Sequence, residues 1–213
     1  MMGQRNSGKT TLIRLLWGFV APTAGKVSVL GLAPYLHQVE VRRRAGFVPE
    51  SAVMYEWLSV LEMLDFVSRF YPKWDHDHAM TLLRALAVDP ACKVFQLSPS
   101  DQFKVRLVAA LGHRPALLLL DSPFQSLDNQ AQLEIHTFLK RLSREENVAM
   151  VITSLVNDQL DRLADTMLML DRGAVIEQAP AAVLKEKFGV SSMEEVFLEV
   201  SAKVLQRRHG ANA

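Results

Sequence analysis

The chain has 213 residues, of which 49% are hydrophobic and 22% are charged. This composition is typical of a globular protein and excludes a disordered one. The 24 basic and 23 acidic residues nearly cancel, so overall charge gives no reason to expect nucleic acid as a partner. A single cysteine, Cys92, excludes an internal disulfide and fits a reducing compartment. No stretch reaches the roughly 18 apolar residues of a membrane span, and we therefore expect a cytoplasmic protein.

The first third of the chain alternates between helical and strand patterns. "TTLIRLLWGF" follows a glycine-rich loop and places Leu12, Leu15 and Leu16 at helical spacing. "APTAGKVSVLG" predicts a turn followed by a short strand that ends at Gly31, and "AGFVPE" predicts a further strand.

The remainder of the chain continues the alternation. The pattern is mostly helical over about 57–101, after which "LLLLD" predicts a buried strand ending at Asp121. "QAQLEIHTFLKRLSR" predicts an amphipathic helix, "VAMVITS" a second buried strand, and "TMLMLDRGAVIEQ" a hairpin that turns at Arg172 and Gly173. We predict an α/β protein with a three-layer core, a helical lobe inserted over about 57–101, and a helical tail over about 180–213.

The loop "GQRNSGKTT" carries the strongest chemical signal. Gly3, Gly8, Lys9 and Thr10 fit the pattern GxxxxGK[ST], in which consecutive backbone N–H groups surround a phosphate chain at a helix N-terminus. Lys9 would reach the β- and γ-phosphates, and the Thr10 hydroxyl would bind Mg²⁺. The nucleotide contacts predicted in this loop are Gly3, Asn6, Ser7, Gly8, Lys9, Thr10 and Thr11.

Further motifs follow the loop in a fixed order. Asp121 ends an apolar strand, as a carboxylate that holds Mg²⁺ should. "AGFVPE", "LSPSDQFKVRLVAALGHRPALLLLDSPFQSLD" and "VITSL" correspond to a Q-loop, a signature with second motif and D-loop, and a switch position. Over nearly its whole length the chain resembles the nucleotide-binding subunits of ATP-binding cassette transporters. Its tail, "GAVIEQAPAAVLKEKFG", and "FYPKWD" are similar to exporter-type members.

The chain departs from the family pattern at four reactive positions. The resemblance implies a Gln where the chain has Glu50, Gly-Gly where it has Pro99 and Ser100, a Glu where it has Ser122, and a His where it has Leu155. The resemblance therefore leaves no intact catalytic residue in this chain.

Each departure has a chemical consequence. Ser122 cannot accept a proton from water, and a general base typically contributes about 10²- to 10⁴-fold in rate. Leu155 cannot donate a hydrogen bond to developing charge. Pro99 lacks an N–H but suits the first turn of a helix, and Ser98 is left to contact a γ-phosphate. Glu50 is a candidate Mg²⁺ ligand beside Thr10 and Asp121, although it adds negative charge near a triphosphate.

The resemblance also implies partners. A second ATP-binding subunit would pair head to tail with this chain to form a homo- or heterodimer, and ATP would join the two halves. The dimer would dock on a membrane permease, through the surface around Glu50 to Leu58. The protein would then lie on the inner face of the cell membrane, with ATP and Mg²⁺ as cofactors and no nucleic acid as partner.

The leading hypothesis is an exporter-type ATP-binding subunit whose own hydrolysis is impaired. One alternative is a slow but active transport ATPase in which Glu50 or a displaced water replaces the lost base. A regulatory ATP-binding module without a transport role is another, and a decayed gene is the least specific one.

Three further local features allow specific expectations, and two of them have competing interpretations. The family has strands ahead of the phosphate loop, and here "MMGQ" shows none, so we expect a truncated chain or a misassigned start. Asn6 tolerates left-handed backbone geometry, which would preserve the turn. The histidines in "WDHDH", His76 and His78, suggest a metal site, but a helix N-terminus capped by an acidic residue is the favoured interpretation.

Overall fold

The computed structural model describes residues 1–125, 127–155 and 163–210, with side chains as far as residue 204. The chain divides into two compact units, Met1–Leu12 with Thr153–Ala213, and Ile13–Ile152. The described helices are α1 (Lys9–Leu16), α2 (Gln38–Arg42), α3 (Val60–Ser68), α4 (His76–Ala85), α5 (Pro99–Leu111), α6 (Asn129–Glu145), α7 (Ala181–Phe188) and α8 (Met193–Gly210). The strands are β1 (Ala45–Val48), β2 (Leu117–Asp121), β3 (Ala149–Thr153), β4 (Thr166–Asp171) and β5 (Ala174–Pro180).

A three-stranded sheet in the order β1-β2-β3 forms the centre of the larger unit. β1 and β2 are parallel, with Ala45 opposite Leu117 and Val48 opposite Leu120. All five residues of β2 are buried, as expected for a parallel strand covered on both faces. The strand predicted to end at Asp121 is therefore confirmed.

Helices of the larger unit pack against this sheet and against one another. α5 packs against β1, and α3 and α4 pack against α5. A reciprocal capping box starts α3, in which Ser59 accepts from the Glu62 N–H and the Glu62 carboxylate accepts from the Ser59 N–H. α3 and α4 lie within the predicted lobe of 57–101, whose independence as a lobe stays a prediction.

Asp75 explains the "WDHDH" segment. Its side chain accepts a hydrogen bond from the His78 N–H at 2.9 Å and caps α4. This bond and then the Arg114 guanidinium hold the pKa of Asp75 below its usual value. The interpretation of this segment as a capped helix N-terminus is confirmed.

An antiparallel hairpin of β4 and β5 dominates the smaller unit. Its turn consists of Arg172 and Gly173, with φ of 49° and 81°, the left-handed pair that two-residue hairpins favour. α7 and α8 pack on β5. The predicted hairpin and the helix of the tail are both confirmed.

The residues before the phosphate loop are paired as a strand would be. The Met2 N–H donates to Leu168 O at 2.8 Å, and Met2 O accepts from the Leu170 N–H at 2.9 Å. On the other side, the Ser154 N–H donates to Met1 O at 3.0 Å. Met2 is fully buried, so the loop starts from a fixed backbone.

One sequence prediction is wrong. The segment expected to form a strand ending at Gly31 contains only an isolated bridge between Val29 and Leu32. Leu30 and Gly31 both have positive φ, 52° and 82°, so the chain reverses there before a ladder can form.

The helix predicted from "TTLIRLLWGF" is confirmed as α1, but its buried face was not predicted. The buried residues are Ile13 and Trp17, spaced four apart, whereas the three leucines at the predicted positions are only half-buried. Ile13 and Trp17 lie one helical turn apart on the same face, and this pair is the one that the fold covers.

We expect the buried side chain of His113 to make the free energy of unfolding depend on pH. It is buried, stacks on Tyr71 with ring centroids 4.1 Å apart, and its Nε2 lies 3.1 Å from Ala45 O. Its Nδ1 is buried without a hydrogen-bond partner, so a proton there would meet no acceptor. Burial lowers the pKa of His113, partly offset by the Ala45 carbonyl, and burial also lowers the pKa of His78.

Because the folded pKa is depressed, the unfolded chain takes up more protons below its own pKa of about 6.5. The free energy of unfolding should therefore fall as pH drops below about 6.5, towards the lowered folded pKa. Chemical denaturation across this range should show a shallower slope for His113→Gln. The exposed His76→Gln is the control, and equal slopes for all three proteins would contradict this role of His113.

Candidate nucleotide-binding site

The phosphate loop of the smaller unit contains a tight turn from Gln4 to Ser7. The Ser7 N–H donates to Gln4 O at 3.2 Å, and Asn6 has a φ of 63°. Asparagine adopts this left-handed conformation more readily than most residues, which confirms the expectation for Asn6. Gly8 follows with a φ of 103°, and α1 begins at the next residue.

The Lys9 side chain folds back onto this turn. Its Nζ donates to Gly3 O and Gln4 O, both at 2.8 Å, and to Ser7 Oγ at 3.3 Å. Lys9 is only 7% exposed. These three oxygens fix the position of the ammonium group at the loop. Such a charge attracts an anion.

The turn between β4 and β5 contacts the phosphate loop. The Gly173 N–H donates to Ser7 O at 2.9 Å. A Cβ on Gly8 would lie 3.3 Å from the Gly173 Cα, and a Cβ on Gly3 would lie 2.5 Å from Leu170 O and overlap Ser7 Oγ. Close backbone approach therefore explains both glycines of the motif.

The loop and α1 fit a phosphate chain. The first N–H groups of a helix have no intrahelical partner and carry the positive end of its dipole. Lys9, Thr10 and Thr11 form the first turn of α1; the Thr10 side chain is half-buried and that of Thr11 is exposed. The structure thus brings together the glycines, the ammonium group and the hydroxyl that the motif requires.

Asp121 and Ser122 lie at the end of β2 in the larger unit. Asp121 is 4% exposed and is the last residue of a wholly buried strand. A carboxylate in this position suits a hard cation such as Mg²⁺. Ser122 follows with a φ of 51° and presents a hydroxyl group, which has no basicity at neutral pH. The structure therefore places an uncharged side chain directly after the candidate metal ligand.

A network of hydrogen bonds holds the loop after Ser122. Gln132 Nε2 donates to Phe124 O and Leu127 O, both at 2.9 Å. Asp128 accepts from the Ala131 N–H at 2.9 Å and caps α6, and this bond is the main cause of the lowered pKa of Asp128. Asp128 is thus a carboxylate at neutral pH.

The signature segment begins α5. Ser98 caps this helix, and Pro99 occupies its first turn, as predicted. Ser98 Oγ accepts from the Asp101 N–H at 3.1 Å and donates to Asp101 Oδ2 at 2.8 Å. The sequence reasoning missed Asp101, although Ser followed three residues later by an acidic residue is a recognised capping signal.

Glu50 and Leu155 occupy less constrained positions. Glu50 lies two residues after β1 and is exposed. In the described part of the chain its carboxylate makes no hydrogen bond or ion pair. Leu155 follows the buried Ser154 and is half-buried, and its side chain has no polar atom. The structure therefore does not test Glu50 as a metal ligand, and it leaves the switch position without a hydrogen-bonding group.

The fold and the loop are those of a P-loop protein. The family model for ABC transporters matches residues 1–125, which is more than half of the chain. The chain therefore belongs to the ABC transporter family, with the ATP-binding subunits of such transporters as its relatives. Among the described residues, no helix combines the length and apolar character that a membrane crossing requires.

Curated relatives have different transport roles. The chain is 27% identical to a bacitracin transport ATP-binding protein of Bacillus licheniformis, covering 87% of the chain and 61% of the relative. It is 31% identical to a molybdenum import ATP-binding protein of Brucella abortus, covering 85% of the chain and 53% of the relative. The chain thus spans about half to three fifths of the length of these two relatives.

Solved structures share the fold. The ATP-binding subunit of an ABC transporter superposes with a TM-score of 0.81 at 24% identity, covering 94% of this chain and 86% of that chain. A dimeric, post-hydrolysis ATP-binding cassette bound to ADP and Pi superposes with a TM-score of 0.74 at 23% identity, covering 84% and 83%. At these identities the likeness establishes the ABC ATPase fold.

Proposed function

We propose that this chain is an ATP-binding subunit of an exporter-type ABC transporter that binds Mg-ATP and has lost most of its own hydrolytic activity. The observation that carries the proposal is a contrast. Lys9 is held within the phosphate loop by three hydrogen bonds, whereas Ser122 has a neutral hydroxyl at the position where the family resemblance implies a general base. Nucleotide binding and hydrolysis depend on different residues, so one can persist without the other.

The nucleotide contacts follow from the loop. Backbone N–H groups from the turn and from the start of α1 would hold the phosphates, with Lys9 as the fixed positive charge. Thr10, Asp121 and Glu50 would hold Mg²⁺, which neutralises phosphate charge when bound. Ser98 is left out of this set because its hydroxyl is engaged by Asp101.

The proposed partners are a second ATP-binding subunit and a membrane permease. The support is family membership and the dimeric form of a solved relative. Export is supported only by the sequences of the tail and of "FYPKWD", because the relatives include proteins named for molybdenum and sulfate import.

The proposed permease-binding surface is a row of exposed aromatic side chains, here called the aromatic ladder: Tyr55, Trp57, Phe66 and Phe70. Neighbouring rings lie 5.2 to 5.4 Å apart in the order Trp57, Tyr55, Phe66, Phe70. Trp57 is 68% exposed and Phe70 67% exposed. A contiguous exposed apolar patch of this kind usually marks an interaction surface.

A groove of about 600 Å³ lies beside the aromatic ladder. α3 and α4 form its walls, with Leu61, Leu64 and Met80 among the lining side chains. Its dimensions and apolar lining suit an amphipathic helix of a partner. The ladder and the groove extend the predicted surface around Glu50 to Leu58 onto α3.

A photo-crosslinking residue at Tyr55 tests this surface. In membranes that contain the partner, it should capture a polypeptide with membrane-spanning segments. The control probe replaces Leu133, which is 66% exposed on α6 and lies outside the ladder. Capture of the same membrane protein from both positions, or of proteins without membrane spans only, would count against the surface.

Binding and turnover measured on the same sample test the proposal itself. Calorimetry should show one Mg-ATP per chain, and release of inorganic phosphate should stay near background. Rapid turnover would favour the alternative of an active transport ATPase. No binding would remove the ATP-binding role altogether.

A further inference from the structure

Both hydrogen-bonding directions of the Ser98 hydroxyl are used within this chain. Its oxygen accepts from the Asp101 N–H at 3.1 Å, and its proton goes to Asp101 Oδ2 at 2.8 Å. The next hydroxyl along, that of Ser100, donates to Asp128 Oδ2 at 3.4 Å. The polar side chains at the start of α5 therefore face carboxylates of their own chain.

The charges around this end of α5 are predominantly negative. Lys104 bridges Asp101 Oδ1 at 3.3 Å and Glu134 Oε2 at 2.9 Å. Burial lowers the pKa of Lys104, but its hydrogen bonds to Glu134 and Asp101 outweigh burial and raise it. Together with Asp128, which accepts from Ser100, these contacts bring together three carboxylates and one ammonium group, and the four groups carry a net negative charge.

This arrangement opposes a second anion. The positive end of a helix dipole attracts anions, but Asp101 already occupies the first turn of α5 and accepts a bond there. Pro99 contributes no N–H to the same turn. A phosphate group arriving at this end would have to displace Asp101 from Ser98 while facing its charge.

We infer that the Asp101 carboxylate prevents a nucleoside triphosphate from binding at the signature segment. This chain then contributes one nucleotide-binding surface to a dimer, namely its phosphate loop. The inference rests on the proposed function, in which Ser98 would otherwise face the nucleotide of a partner subunit. Asp101 is thus a specificity-determining residue that makes the two ends of the dimer interface unequal.

Self-association with Mg-ATP tests this assignment. The full chain should stay monomeric in sedimentation velocity at saturating Mg-ATP. Asp101→Asn removes the charge and keeps one side-chain oxygen as an acceptor in place of the two that Ser98 and Lys104 use. It should lower the dimer dissociation constant at least about tenfold, since like charges facing each other at an interface oppose association. Asp101→Glu keeps the charge and should remain monomeric.

The matched control is Asp77→Asn, the same change in the first turn of α4, which should leave association unchanged. Thermal unfolding of each variant confirms that α5 is intact, and bound ATP is measured in the same samples. The inference would be contradicted if the unmodified chain formed ATP-dependent dimers as tight as those of Asp101→Asn. It would also be contradicted if Asp101→Asn bound ATP and stayed monomeric. Absence of bound ATP in every variant would contradict the proposed function, and the inference with it.

Discussion

Replacing Lys9 with alanine is expected to weaken Mg-ATP binding by roughly 10- to 100-fold, because a charge-assisted contact is typically worth about 1.5–3 kcal/mol. Two effects add in the same direction. The fixed charge for the phosphates is lost, and so are the bonds from Nζ to Gly3 O and Gln4 O that hold the turn. Titration calorimetry with ATP and Mg²⁺ measures the change directly.

The matched control is Lys203→Ala in the same unit. Lys203 is exposed on α8 and lies 4.5 Å from the centre of the Phe188 ring, so its removal tests the loss of one lysine away from the loop. Its variant should bind ATP as the unmodified chain does. Equal affinities for Lys9→Ala and the unmodified chain would show that the loop is not the nucleotide site.

In a dimer with a second ATP-binding subunit, the double variant Ser122→Glu with Leu155→His should raise turnover by about 10²- to 10⁴-fold, the usual contribution of a positioned general base. Ser122 already adopts a left-handed φ of 51°, and glutamate, like serine, is not branched at Cβ, so the backbone requirement changes little. Either substitution alone should do much less, because residues that act as a unit are not additive.

Single-turnover hydrolysis at excess protein measures this gain. Gln125→Glu with Leu155→His is the control, because it adds the same side chains but puts the carboxylate at an exposed position of the same loop. Strong turnover by the unmodified chain that Lys9→Ala abolishes would contradict the loss of catalysis and favour the active ATPase. An equal gain in the control would mean that the position of the carboxylate does not matter.

The sequence predicts those parts of the structure in which local chemistry decides the conformation. The run ending at Asp121 is wholly apolar, so its burial follows from its composition. Arg172 and Gly173 form the two-residue turn that connects β4 to β5. Asn6 adopts the positive φ of the phosphate loop more readily than most residues would. In each case the residue type at that position favours the conformation or the burial that the fold requires there.

Features that depend on packing between distant segments were not predicted. The buried face of α1 centres on Ile13 and Trp17 because Trp17 packs on Phe47, with ring centroids 5.3 Å apart. The support of the loop by Gly173 joins residues far apart in the chain. No local pattern contains this information.

The omission of Asp101 is of a different kind. Asp101 stands three residues after Ser98, which is a capping pattern that can be recognised in the sequence. The contact between Ser100 and Asp128 could not be derived, because it joins the start of α5 to the start of α6. The ends of two helices meet only once the fold exists.

The most direct test of the central claim is the identity of the bound nucleotide. The protein is incubated with Mg-ATP, separated from free nucleotide, denatured and analysed by chromatography. We expect close to one nucleotide per chain, recovered as intact ATP after many minutes, and much less nucleotide with Lys9→Ala. Recovery of ADP from the unmodified chain, or of no nucleotide at all, would contradict it.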